Sequence, residues 1–226
     1  MEPLSRISRT FGVNLRAMGR STEPSDHDLL SMKQAVIDLE AVRHSLGVDP
    51  WIFVGCSAGG FLGMQYALEF PDGLRGLVLV GTAPSFRVFF DPSSIYCQEN
   101  PHYASVQSVI GTQAWSETVW PLIAHSPELV ASHAEELGQI SEARQRAMAS
   151  EMRAYDLEKN LARIATPTLV IHGRFDTSMP FAQGQIIAAG VPNARLEIFE
   201  QSGHFPWWEE EAAFERSVRA FSVSRG

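Results

Sequence analysis

Trp51-Ile52-Phe53-Val54-Gly55-Cys56-Ser57-Ala58-Gly59-Gly60 begins with four consecutive apolar residues and ends in a cluster of small ones. The apolar run is bounded by Asp49-Pro50 on one side and Gly55 on the other. That predicts a short strand buried on both faces. From Ala58 to Phe70 there is no proline, and apolar residues stand at Phe61, Leu62, Tyr66 and Leu68. A buried helix therefore follows the turn directly, stopped by Pro71-Asp72-Gly73. Strand, tight turn and helix in immediate succession are the unit from which parallel sheets are built.

The same alternation continues outward in both directions. Leu77–Val80 and Thr168–Ile171 predict further buried strands, and Arg195–Phe199 a fourth strand. Phe181–Ala189 and Glu209–Val223 predict helices between and after them. Upstream, Leu29, Met32, Val36, Leu39, Val42 and Leu46 recur in steps of three and four, placing them on one face of a helix over Asp28–Leu46. Gly47 supplies its stop. The expected fold class is α/β: a mostly parallel sheet flanked by helices. Between the second and third strands, residues 85–156 are different in kind. Their first part is rich in Pro, Ser and aromatics, and their second part, from Glu128 to Tyr155, is helical in composition. They read as a helical lid (cap) over the sheet's C-terminal edge, with 1–84 and 157–226 forming the core.

The totals narrow the class of function. A chain of 226 residues suits one domain, and a 45% hydrophobic, 19% charged composition is ordinarily globular. A formal charge of −8 argues against nucleic-acid and anionic-membrane partners. Cys56 and Cys97 make no disulfide framework, and no Cys or His spacing suggests a metal. No apolar run approaches the ~18 residues needed to span a bilayer, nor does the N-terminus resemble a signal peptide. The expectation is a cytoplasmic protein with no cofactor and a small-molecule or short-peptide substrate. Oligomeric state is left open.

Gly55-x-Ser57-x-Gly59 follows the first strand and opens a helix. The pattern alone would occur by chance in roughly a tenth of chains this long. Its position sharpens it: a nucleophile elbow needs small residues around the serine so that the backbone can turn tightly. The hydroxyl then stands at the sheet's C-terminal edge beside a positive helix N-terminus. A serine needs a base to take its proton and an acid to orient that base. Asp176, in His172-Gly173-Arg174-Phe175-Asp176, follows the third strand, and His204, in Gly203-His204-Phe205-Pro206, follows the fourth. Either residue alone reads as a solvated loop side chain. Together with Ser57 they sit at one sheet edge in the order nucleophile, acid, base, and Ala58 N–H becomes the oxyanion donor. His172 reads as a packed strand-end residue. Trp207 could wall the site or anchor the last helix.

With these motifs in place, the sequence resembles the α/β-hydrolase superfamily from about Asn14 to its last helix. Asn14-Leu15-Arg16-Ala17-Met18-Gly19-Arg20-Ser21 resembles the loop after the fourth strand in that family, with Asn and Ala departing from its usual Asp and Gly. The elbow and Ser94-Ile95-Tyr96-Cys97 with Asn100-Pro101 are similar to proline iminopeptidase-like hydrolases. The resemblance implies three further strands and a His-Gly loop ahead of the segment where this chain starts. Relative to that pattern the chain is N-terminally short, and the second oxyanion donor has no counterpart. Losing one such donor costs ~10²–10³ in turnover, so weakened activity is expected.

Three functions stay open. The iminopeptidase resemblance implies amide hydrolysis at a peptide N-terminus, where lid acids such as Glu99 and Glu117 would hold the ammonium. A carboxylesterase or lactonase would use the same triad on small esters. A ligand-binding homologue would keep the fold and turn over poorly.

Overall fold

The four expected strands form one parallel sheet: β1 (Trp51–Cys56), β2 (Leu74–Val80), β3 (Thr168–Gly173) and β4 (Ala194–Phe199). The structure is a computed structural model describing residues 2–110, 112, 114–133 and 141–224. The order across the sheet is β1-β2-β3-β4, the same as along the chain. Val80 lies beside Cys56 on one side and Ile171 on the other, so the strands end nearly level. That common C-terminal edge is where the loops after β1, β2, β3 and β4 converge.

Alternation along the strands decides which layer covers which face. Leu77, Leu79 and Val170 point into one core with Phe61, Met64, Val36, Leu39 and Ile187. These come from α2 (Met32–Ser45), α3 (Ala58–Glu69) and α8 (Ala182–Gly190). Val78, Val80, Leu169 and Ile171 point the other way, against Phe214, Val218 and Phe221. Those three lie four and three residues apart on α10 (Glu211–Val223) and form its buried face. Burying each phenylalanine contributes about 1.5–3 kcal/mol. The short helix α1 (Glu2–Ser5) lies on α10, with Leu4 and Ile7 against the same cluster and Arg6 paired to Glu211 and Glu215, both at 2.8 Å.

Two expectations need correcting. β1 is only half-buried along most of its length, because among the described residues no strand pairs on its outer side. The helix expected over Asp28–Leu46 is interrupted: a 3₁₀ turn, His27–Leu30, precedes α2, and Ser31 caps the latter through its hydroxyl to Gln34 N–H at 3.2 Å. Its buried face carries Leu30, Val36 and Leu39 as well as Arg43, while Leu46 is exposed.

Residues 85–156 contain α4 (Tyr103–Val109), α5 (Trp115–Ile123), α6 (Pro127–Ala131) and α7 (Glu142–Met152). Ser85 and Asp156 form an antiparallel bridge, so this segment leaves and re-enters the sheet layer at one point. Ile95, Val106, Val119, Trp120, Ile123 and Val130 make its own apolar cluster, which is closed from below by Phe205 and Trp208. Part of the helical stretch expected over 128–155 falls at 134–140, outside the described residues. Among the described residues no helix is long and apolar enough to cross a membrane.

Candidate active site

Ser57 sits at the corner between β1 and α3 with φ 51° and ψ −120°. L-residues rarely adopt that conformation, and holding it costs ~1–3 kcal/mol. The corner is fixed by hydrogen bonds. Ser57 N–H donates to Val80 O at 3.0 Å, and Ser57 O accepts from Gly60 N–H and Thr82 Oγ1, both at 2.8 Å. Gly55 is sterically required, since a Cβ there would lie 2.2 Å from Gly59 O. Gly59 itself faces open space. Ala58 N–H is the first of α3 and meets no acceptor among the described residues, leaving an N–H at the positive helix end.

Asp176 and His204 are brought together from the loops after β3 and β4. His204 Nδ1–H donates to Asp176 Oδ2 at 2.7 Å, and both side chains are buried. Asp176 Oδ1 accepts from the N–H groups of Ser178 and Met179, each at 2.9 Å. The carboxylate is thereby oriented and leaves one oxygen for the imidazole. Gly81, one residue past the Val80 carbonyl that holds Ser57, lies against this pair. A Cβ on Gly81 would stand 3.0 Å from Asp176 Oδ2 and 3.2 Å from His204 Nδ1. The serine corner and the Asp–His pair are thus neighbours at one edge. No hydrogen bond joins Ser57 Oγ to His204 among the described residues.

The surroundings keep neighbouring groups neutral. Burial is the main influence on His172, lowering its pKa against the raising effects of Asp176 and the Met179 carbonyl. His172 Nε2–H donates to Met179 O at 2.6 Å, and Nδ1 has no partner. The strand-end reading of His172 is what the structure shows. Burial first, and the Asp176 charge after it, hold the Tyr96 phenol up at about 12, against a lowering bond from Ser178. Burial likewise pushes the Cys56 thiol well up, making it a poor nucleophile beside Ser57. Among the described residues no three His, Cys, Asp or Glu side chains are grouped to hold a metal.

The other expected residues are placed less centrally. Glu99 and Glu117 are exposed and make no hydrogen bond or ion pair among the described residues. Trp207 is half-buried, touching both the α10 cluster and the cluster of residues 85–156, with its ring 5.6 Å from Phe205. Its contacts are those of an anchor between the two. Sequence reasoning overlooked Glu209, whose carboxylate meets four backbone N–H groups around His204. Its sequence signal was slight: the first of three consecutive glutamates reads as a solvated helix start.

This fold defines a hydrolase of the α/β class. A family model described as "alpha/beta hydrolase fold" matches residues 1–211, and the chain belongs to that family. It is an enzyme, as its relatives are named. One is 2-hydroxy-6-oxo-6-phenylhexa-2,4-dienoate hydrolase of Comamonas testosteroni, 27% identical over 89% of this chain and 73% of its own. The proline iminopeptidase of Elizabethkingia meningoseptica is 26% identical over 89% of this chain and 75% of its own. Among solved structures, an alpha/beta fold family hydrolase from Bacillus anthracis superposes with a TM-score of 0.85 at 28% identity, covering 92% of this chain and 80% of that one.

Proposed function

We propose that the enzyme is a serine hydrolase that cleaves a small ester or amide by acyl transfer, in the manner of proline iminopeptidase-like enzymes. The observation that carries this reading is the buried 2.7 Å His204–Asp176 hydrogen bond beside a serine held in a strained turn. His204 takes the Ser57 hydroxyl proton as Oγ attacks the substrate carbonyl, then returns it to the leaving alcohol or amine. Asp176 holds the imidazole with its proton on Nδ1 and stabilises the imidazolium. Ala58 N–H donates to the developing oxyanion. Water, activated by the same histidine, then attacks the acyl-enzyme and releases the acid and Ser57.

Residues 85–156 serve as the lid and the remainder as the core. Hydrogen bonds tie the lid to the loops that hold the proposed acid and base, among them Ile95 N–H to Thr177 O at 2.9 Å, Thr177 Oγ1 to Leu122 O at 2.7 Å, Ser94 Oγ to Ser178 O at 3.2 Å and His204 N–H to Ile123 O at 2.8 Å. A specific observation favours the ester or lactone over the N-terminal amide. An ammonium is held best by carboxylates enclosed with it, and Glu99 and Glu117 are exposed. Parallel assays on a p-nitrophenyl ester and on a proline p-nitroanilide separate the two.

The first test is labelling with a fluorophosphonate, which reacts only with an activated serine. Wild type is expected to label and Ser57→Ala not to. Labelling that persists in Ser57→Ala would overturn the assignment.

A further inference from the structure

Glu209 ends the short helix α9 (Pro206–Glu209), five residues beyond His204. Its Oε1 accepts from the N–H groups of His125 at 2.5 Å and Ser126 at 2.7 Å, in the loop between α5 and α6. Its Oε2 accepts from Gly203 N–H at 2.7 Å and Phe205 N–H at 3.3 Å, the two residues flanking His204. Both carboxylate oxygens are therefore occupied by backbone donors, one pair on each side of a junction. His204 N–H crosses the same junction to Ile123 O at 2.8 Å. The two backbones are so close that a Cβ on Gly203 would fall 2.2 Å from Ile123 O. Next to it, Glu210 Oε2 takes Gln201 N–H at 3.0 Å and Ser202 Oγ–H at 2.6 Å, fixing the earlier part of the loop.

We propose that Glu209 is a positioning residue: its carboxylate staples the loop carrying His204 to the 123–126 segment of the lid, and so sets where the imidazole stands relative to Ser57. The proposal rests on the assignment of His204 as general base. An ionised carboxylate is the one side-chain group with two oxygens able to accept from four N–H donors at once. Glutamine of the same shape presents one oxygen, and its NH₂ would face the other pair of donors. Glu209→Gln therefore releases one side of the junction, and Glu209→Ala releases both. An ångström of displacement at such a site costs up to about 10²-fold in rate.

The test uses the full chain and a p-nitrophenyl ester, with kcat taken per folded molecule and melting followed in parallel. Expected is a graded loss of kcat, Glu209→Ala falling by about 10²-fold and Glu209→Gln by less, with KM changed far less than kcat. Lower melting temperatures with wild-type kcat would assign Glu209 to stability alone and overturn the proposal. Hydrogen exchange on the wild type needs no variant to fold. The amides of His125, Ser126, Gly203 and Phe205 are expected to open together and slowly, and independent fast exchange would also overturn it. Fluorophosphonate labelling of the wild type separates this failure from that of the serine reading. Absent labelling removes the general base itself, whereas normal labelling with unchanged Glu209 variants removes only the staple.

Discussion

Two charged clusters are built into opposite ends of this sheet, and they are finished differently. At the N-terminal end, Arg43 bonds Glu40 twice, at 2.7 and 2.9 Å, and also meets Asp49 and the Val48 carbonyl. Tyr66 donates its hydroxyl to the same Glu40. At the C-terminal end, Asp176 and His204 share one bond, while Ser57 Oγ and Ala58 N–H are left without partners among the described residues. The first cluster is saturated, and its geometry can do nothing further. The second keeps a spare hydroxyl and a spare N–H beside a strained residue. The completed network is finished as structure, whereas the incomplete one leaves the groups that the proposed reaction would use, and the two stand at opposite ends of the same sheet.

The comparison breaks most sharply at Asp176. Asp176→Asn keeps the shape but offers the imidazole a donor, favouring the wrong tautomer, so kcat is expected to fall by about 10⁴-fold with melting little changed. A loss under tenfold in an ester assay would mean that His204 is oriented by something else. Arg43→Met makes the reciprocal case. It strands the Glu40 carboxylate and is expected to cost about 3 kcal/mol in urea unfolding, while kcat per folded molecule stays at the wild-type value. A changed kcat would show that the two ends are coupled after all.

The smallest effect separates the clusters by pH. His172, below its usual pKa through burial, is held neutral in the fold. The unfolded chain takes up that proton near pH ~6.5, so the contribution of His172 is complete above this and is lost as pH falls below it. Glu40 behaves differently: Arg43 first, with help from Tyr66, holds its carboxyl down at about 2 against the effect of burial. Its contribution is complete above the usual carboxylate pKa and is lost only as pH falls toward about 2. Unfolding free energy should therefore decline from about pH 7.5 to about pH 5.5, and His172→Gln should flatten that slope. A slope unchanged in the variant would assign it to another group.

How much of this could be read beforehand follows from where each signal is stored. The two inner strands were the most legible because strands buried on both faces are apolar throughout, and Leu77–Val80 and Leu169–Ile171 are unbroken runs. Ser57, Asp176 and His204 could be picked out because each follows an expected strand within a few residues. Arg43 was not, since a charge on an apolar face looks like an interruption until Glu40, Asp49 and Val48 are seen to surround it. Glu209 was hidden for a related reason. It acts on backbone N–H groups, which every sequence has, and one of them, that of His125, lies 84 positions away from it. The helices within residues 85–156 were legible only as composition, because their apolar cluster is completed by Phe205 and Trp208 from beyond β4.

Strand order has a consequence for how the enzyme comes into being. Because β1, β2, β3 and β4 stand in the sheet as they stand in the chain, each strand leaving the ribosome finds its neighbour already made. Such assembly closes comparatively short loops, apart from the one spanning residues 85–156, and so keeps the entropic barrier low. Ser57 stands at the turn after β1 and His204 follows β4. The Ser57 corner is therefore made before the turn that carries the proposed base, and the proposed triad comes together only once the chain beyond β4 has emerged.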